Sequence, residues 1–228
     1  MNNALLHILH MSDPALPIGG FSHSAGLETY VQEGLVHDGA TAGLFIKQHL
    51  QRNLFYTDAA LVALSFEAAA KNNFNRLIEL DDLCSAVKLP KELRQASGKL
   101  GLRFLKLFAP LMKSDLQQQY LQSITEKKVE GHYCIAFGIT GAAFNLSLKE
   151  TLYAFYYNAV SSFVTNSVKL VPLSQQTGQQ LLFELLTLID SLVEQGITPD
   201  ESMIGVCCAG FDIRSMQHER LYTRLYMS

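Results

Sequence analysis

The sequence predicts an all-α protein: a single compact domain of about eight to ten helices over residues 1–228, with 212–228 as a C-terminal tail free to order on a partner. Two observations predict the class. Apolar residues recur at helical spacing along nearly the whole chain, and no stretch shows convincing period-2 alternation or a hairpin dipeptide flanked by it. A third observation, that repeats, low-complexity segments and a Pro/Ser-rich linker are all missing, predicts one domain rather than several.

Each element follows from local signals. "TDAALVALSFEAAAKNN" offers Thr57 as an N-cap and Leu61, Leu64, Ala68 and Ala69 as its apolar stripe. "FNRLIELDDLCSAVKL" continues the period until Pro90. Its Asp81 and Asp82 read as a solvated acidic face, because Ser85 stands where an aspartate would complete a DDxxD motif. "PKELRQASGKLGLRFLKLF" begins with Pro90 in a tolerated first-turn position and ends before Pro110. Gly98 and Gly101 inside it cost helix propensity, which predicts another helix or backbone packed close there. "SLKE" (147–150) and "TPDE" (198–201) match the capping box, in which side chains satisfy free backbone N–H groups reciprocally. The run "TLYAFYYNAVSSFVTNSVKL" reads as a central helix buried on most sides, and "QQTGQQLLFELLTLIDSLVEQG" as an amphipathic helix closed by Gly196.

Composition excludes several functions. At 48% hydrophobic and 17% charged, the chain can bury a core without disulfides or metals. Cys84, Cys134, Cys207 and Cys208 form no C-x-x-C and read as thiols of a reducing compartment. The opening "MNNALLHILHMSD" lacks the basic and long apolar regions of a signal peptide, and no run approaches the roughly 18 apolar residues of a membrane span. A soluble, cytoplasmic protein is expected, with no membrane partner. The net charge is −3 with both signs interspersed, so nucleic acid is not expected as a partner; the most basic stretch, "TEKKVEGH", also carries two glutamates.

Motifs of catalysis fail one by one. "GFSHS" puts Ser24 where a nucleophile elbow needs its second glycine, and no strand precedes it. "GVCCAG" has the glycine spacing of a phosphate-binding loop but is followed by Phe211 and Asp212 instead of Lys and Ser/Thr. His7 with His10, and His132 with Cys134, Cys207 and Cys208, leave a four-ligand metal set incomplete. No catalytic residue, metal site or cofactor is expected. The rival reading is a helical enzyme whose buried polar pocket is built from His132, Ser97, Glu28 or Gln175.

Two stretches stand apart. In "SDPALPIGGFSHSAGLE" (12–28), Pro14 and Pro17 stiffen a loop and Gly19 and Gly20 permit tight turns, a rigid connection that presents Phe21, Ser22 and His23. Ser22 or Ser24 reads as the N-cap of the helix running to Glu33. The tail "FDIRSMQHERLYTRLYMS" is dense in Arg214, Arg220, Arg224, Tyr222, Tyr226, Met216 and Met227, types enriched in interface cores. It reads equally as a last helix folded onto the domain or as a segment that orders on a partner.

Together these stretches resemble the UreF family of urease accessory proteins. "SDPALPIGGFSHSAGLE" is similar to that family's N-terminal signature almost residue for residue. "SVKLVPLSQQTGQQLL" (167–182) is similar to its "AVRLGPLGQTxGQ" segment, and "DIRSMQHERLYTRLYMS" to its tail, with "RQASGKLG" and "EGHYCIAFG" fitting the middle. The resemblance implies a non-catalytic, dimerising all-α scaffold. Its partners would be the accessory protein UreD (also UreH), the nickel-carrying GTPase UreG and apo-urease. It adds Lys169, Gln175, His218 and Glu219 to the candidate partner-binding residues, and implies that the tail orders against UreD. Activation of GTP hydrolysis is a related implication, although no arginine of this chain is marked as a finger. The departures are Gln217 and Lys169 for arginines, Val171 and Ser174 for glycines, and Cys134 for a proline.

Overall fold

The structure, a computed structural model, describes residues 3–206 and 208–227, with the side chain of Phe21 outside the described set. Every regular element among the described residues is helical: α1 (Ala4–Met11), α2 (Leu27–Gln32), α3 (Gly39–Gln48), α4 (Ala60–Ala70), α5 (Phe74–Val87), α6 (Lys91–Phe108), α7 (Asp115–Thr125), α8 (Tyr133–Ala143), α9 (Leu148–Leu170), α10 (Gln175–Gly196) and α11 (Ala209–Gln217). A segment of wider π winding, His49–Ala59, joins α3 and α4 into one rod.

Several ends follow the sequence signals. Ser147 and Glu150 form the expected capping box of α9: the Glu150 amide donates to Ser147 Oγ, and the Ser147 amide donates to Glu150 Oε2 at 2.7 Å. Pro90 stands just before α6, and α10 ends at Gly196. Other signals are overridden. Thr57 caps nothing; it lies within the π segment, where its hydroxyl donates to the Asn53 carbonyl at 2.8 Å. At "TPDE" a single 3-10 turn, Glu201–Met203, forms, and Asp200 caps it in place of Thr198. Gly26, not Ser22 or Ser24, stands at the N-cap of α2, although Ser24 Oγ still accepts from the Glu28 amide at 3.5 Å.

The core is one contiguous cluster running from Met11 to Val193. Its most enclosed helix is α8, in which every residue from Cys134 to Gly141 is buried; α9, the expected centre, keeps Tyr157 and Lys169 at the surface. The close approach predicted at Gly98 and Gly101 is the segment entering α8. A Cβ on Gly101 would collide with the Gly131 carbonyl oxygen and come within 2.8 Å of the His132 carbonyl carbon. That segment is fixed from its other side by Asp81, which is fully buried instead of solvated. Its carboxylate accepts from Tyr120 Oη (2.6 Å) and from the amides of Glu130 (2.8 Å), Gly131 (3.1 Å) and His132 (3.0 Å).

Candidate partner-binding surface

The signature loop is built to be gripped from behind. Gly19 and Gly26 both take φ of +85°, in the left-handed region that favours glycine. At Gly26 a Cβ would also meet Ser215 Oγ of α11 at 2.6 Å, so the position serves the turn and the seat of the tail helix together. Arg103 on α6 donates to the Ile18 carbonyl at 3.0 Å, and Asn166 on α9 donates to the His23 carbonyl at 2.9 Å. Ser22 Oγ donates to the Gly19 carbonyl, which leaves the serine a turn-forming role rather than a nucleophilic one.

The tail folds back onto this loop, and Glu28 holds it there. Almost fully buried, its carboxylate accepts from the amides of Leu225 (2.7 Å) and Tyr226 (3.1 Å) and faces His218 Nε2 at 3.1 Å. His218 is itself fully buried, with Nδ1 2.7 Å from Glu92 Oε2, and Glu92 Oε1 accepts from Arg224. Both imidazole nitrogens therefore face carboxylate oxygens. Further ties are the bidentate pair of Arg214 with Glu33, the Gln32 side chain donating to the Thr223 carbonyl, and the Met227 amide donating to the Ser22 carbonyl at 2.8 Å. Burial pushes the Tyr226 phenol up, with the Glu28 charge adding to it.

The candidate residues thus divide. Arg214, His218, Arg224 and Tyr226 hold the tail against the domain; Met216, Glu219 and Tyr222 stand at the surface, joined there by Leu225 and Met227. Ser22 and His23 lie half-buried beneath that edge, and the side chain of Phe21 lies outside the described residues. Burial lowers the His23 pKa, and Lys99 and Arg103 lower it further. Lys169 and Gln175 are exposed around the α9–α10 turn, Lys169 one turn beyond Asn166. Glu28 and Glu92 were not singled out as tail-holding residues. Each contacts a segment more than 120 residues away, and no local pattern reports such a pairing.

The rival's pocket is not assembled. A cavity of about 250 Å³ does open beneath the signature loop, with His23, His49, Asn53, Asp58, Lys88 and Ser97 among its walls. Of the four groups proposed for it, only Ser97 lines it, and its hydroxyl accepts from the Tyr133 amide. His132 instead bonds Ser85, Glu28 holds the tail, and Gln175 is exposed. Asp58 and Lys88 pair at 2.7 Å; burial opposes both charges, but the facing charge, the hydrogen bond between them and further neighbours together leave the Asp58 pKa lowered and the Lys88 pKa raised. Burial drives the His49 pKa down to about 3, leaving a neutral ring packed among Phe45, Phe163 and Phe211. His7 and His10 pack on Phe144 and Phe108, and Cys84 and Cys134 face each other at 3.6 Å. Among the described residues no group of three His, Cys, Asp or Glu side chains is placed to hold a metal; Cys207 lies outside that set. No described helix is long and apolar enough to cross a membrane.

Comparison with known proteins decides the family. The UreF family model matches residues 36–186. The chain is 48% identical over 221 residues to the urease accessory protein UreF of Actinobacillus pleuropneumoniae serotype 5b, covering 97% of both chains. It is 48% identical to that of Haemophilus influenzae Rd, covering 97% of this chain and 94% of the other, and 34% identical over 226 residues to that of Bacillus sp. TB-90. The chain belongs to the UreF family. This family member is accordingly an accessory protein with a role in urease maturation, not an enzyme. The matched segment of the family model contains neither the signature loop nor the tail, whereas the alignments to whole UreF chains span nearly the full length.

Proposed function

We propose that this protein is a cytoplasmic scaffold that bridges UreD and the GTPase UreG while the dinickel site of apo-urease is assembled, with the joined signature loop and tail as the face that UreD grips. The observation that carries the reading is the meeting of two distant stretches at Glu28. The buried carboxylate binds the tail's backbone, so that Tyr222, Leu225 and Met227 stand outward at the rim of the loop. Apolar side chains held outward on a polar frame suit docking better than they suit the domain's own stability. Homodimerisation is part of the proposal. Phe183 and Leu186 are exposed apolar side chains one turn apart on α10, the kind of helix face a second copy would cover.

Co-purification with UreD and UreG from the same source tests it, comparing the full chain with one truncated before Asp212. The full chain is expected to form the ternary complex and the truncation to lose UreD. Capture of neither partner by the full chain would overturn the scaffold reading.

A further inference from the structure

The exposed side of α6 carries a row of cations, and of these only Arg103 has a part in holding the loop, through the Ile18 carbonyl. Lys91, Lys99, Arg103 and Lys106, with the neutral Gln95 midway between the first two, are all exposed and recur at helical steps on one face of the helix. Within α6 five cations stand against a single acid, in a chain whose net charge is −3. That acid, Glu92, is already engaged by His218 and Arg224. The ion pairs among the described residues involve none of Lys91, Lys99, Arg103 and Lys106.

Such a row works against the helix that carries it. Like charges at Lys99 and Arg103 repel across one turn, and Lys91 sits in the first turn, where the helix dipole disfavours a cation. Over 15 residues at about 1.5 Å each, the row runs roughly 22 Å. One end meets the tail through the Glu92–Arg224 pair, and Arg103 touches the signature loop at the Ile18 carbonyl. The cations therefore extend the loop–tail surface instead of forming a separate patch.

We infer that this row is the electrostatic half of the same docking face, and that it receives an acidic surface of the partner that grips the tail. The inference rests on the UreD reading above and deepens it. The exposed Tyr222, Leu225 and Met227 supply apolar contact, and the row supplies steering and orientation, since exposed charges act mainly on the association rate. A protein partner fits better than nucleic acid. The cations form one file along a single helix of an acidic chain, whereas a nucleic-acid surface is expected to be basic over a broader face.

The test is the kinetics of association between full-length chain and UreD from the same source, at about 50 and 300 mM salt, a range over which exposed charges become screened. The association rate of the wild type is expected to fall at least tenfold across that range. K91E/K99E/K106E is expected to associate at least tenfold more slowly at low salt, with dissociation changed less than threefold. K91Q/K99Q/K106Q should fall between; glutamate and glutamine are both good helix formers, and circular dichroism checks that each variant is folded. UreD binding whose rate ignores salt and charge reversal would overturn this inference and leave the docking reading standing. No UreD binding by the wild type would overturn both. Tighter binding of a 20-base-pair DNA duplex than of UreD would assign the row to nucleic acid and overturn it as well.

Discussion

Asp81 and Glu28 are both buried carboxylates that receive backbone amides from a segment far along the chain, yet they hold those segments in different ways. Asp81 takes three consecutive amides and a tyrosine hydroxyl, and the segment it holds is also wedged against Gly101 and continues directly into the buried α8. Glu28 takes two amides and faces one imidazole, and the segment it holds turns Tyr222, Leu225 and Met227 outward. In the first case the polar clamp and the apolar packing reinforce each other. In the second the clamp carries most of the attachment near the chain's end, because Tyr222, Leu225 and Met227 face away and Tyr226 alone of the last residues described packs inward. The first is a joint of the core, and the second is a mount for something that binds outside.

The largest expected effect breaks the first joint. Asp81→Ala leaves three amides and the Tyr120 hydroxyl unsatisfied in the interior, which is expected to cost about 4 kcal/mol or more in urea unfolding. A loss under about 1 kcal/mol would mean that packing alone holds the segment.

Hydrogen exchange on the wild type compares the two clamps directly. The amides of Gly131 and His132 are expected to exchange only with global unfolding. Those of Leu225 and Tyr226 are expected to exchange at least about 100-fold faster, through local release of the tail. Equal protection at both places would erase the distinction.

A smaller effect concerns acid. His49 meets Phe211, near the start of the tail helix, with ring centroids 4.5 Å apart. Its folded pKa of about 3 lies below the ordinary 6.5, so the unfolded chain binds the extra proton. Its contribution to stability is complete above pH 6.5 and is lost as pH falls toward 3, with a slope of up to about 1.4 kcal/mol per pH unit. His49→Phe is expected to flatten the stability profile between pH 6.5 and 4, measured by urea unfolding across that range. An unchanged slope would place the acid sensitivity elsewhere.

The sequence made much of the frame legible, because its signals are local. Pro90, the Ser147/Glu150 box and Gly196 mark helix ends by chemistry that acts within one turn. Gly101 announced a close approach without naming what approaches. Asp81 was misread because an Asp-Asp pair suggests solvent. Leu77, Leu80, Asp81 and Cys84 nevertheless form a buried stripe at helical spacing, and that stripe was the available signal. The loop and the tail were each recognisable, whereas their meeting at Glu28 was not, since it joins residues nearly 200 positions apart.

The most direct test of the account is the affinity of UreD for Glu28→Ala beside the wild type, with urea unfolding of both. The account predicts a variant that loses about 1–2 kcal/mol of stability, stays folded and binds UreD at least tenfold more weakly, because the tail no longer stands against the loop. A folded Glu28→Ala that binds UreD as tightly as the wild type would contradict it.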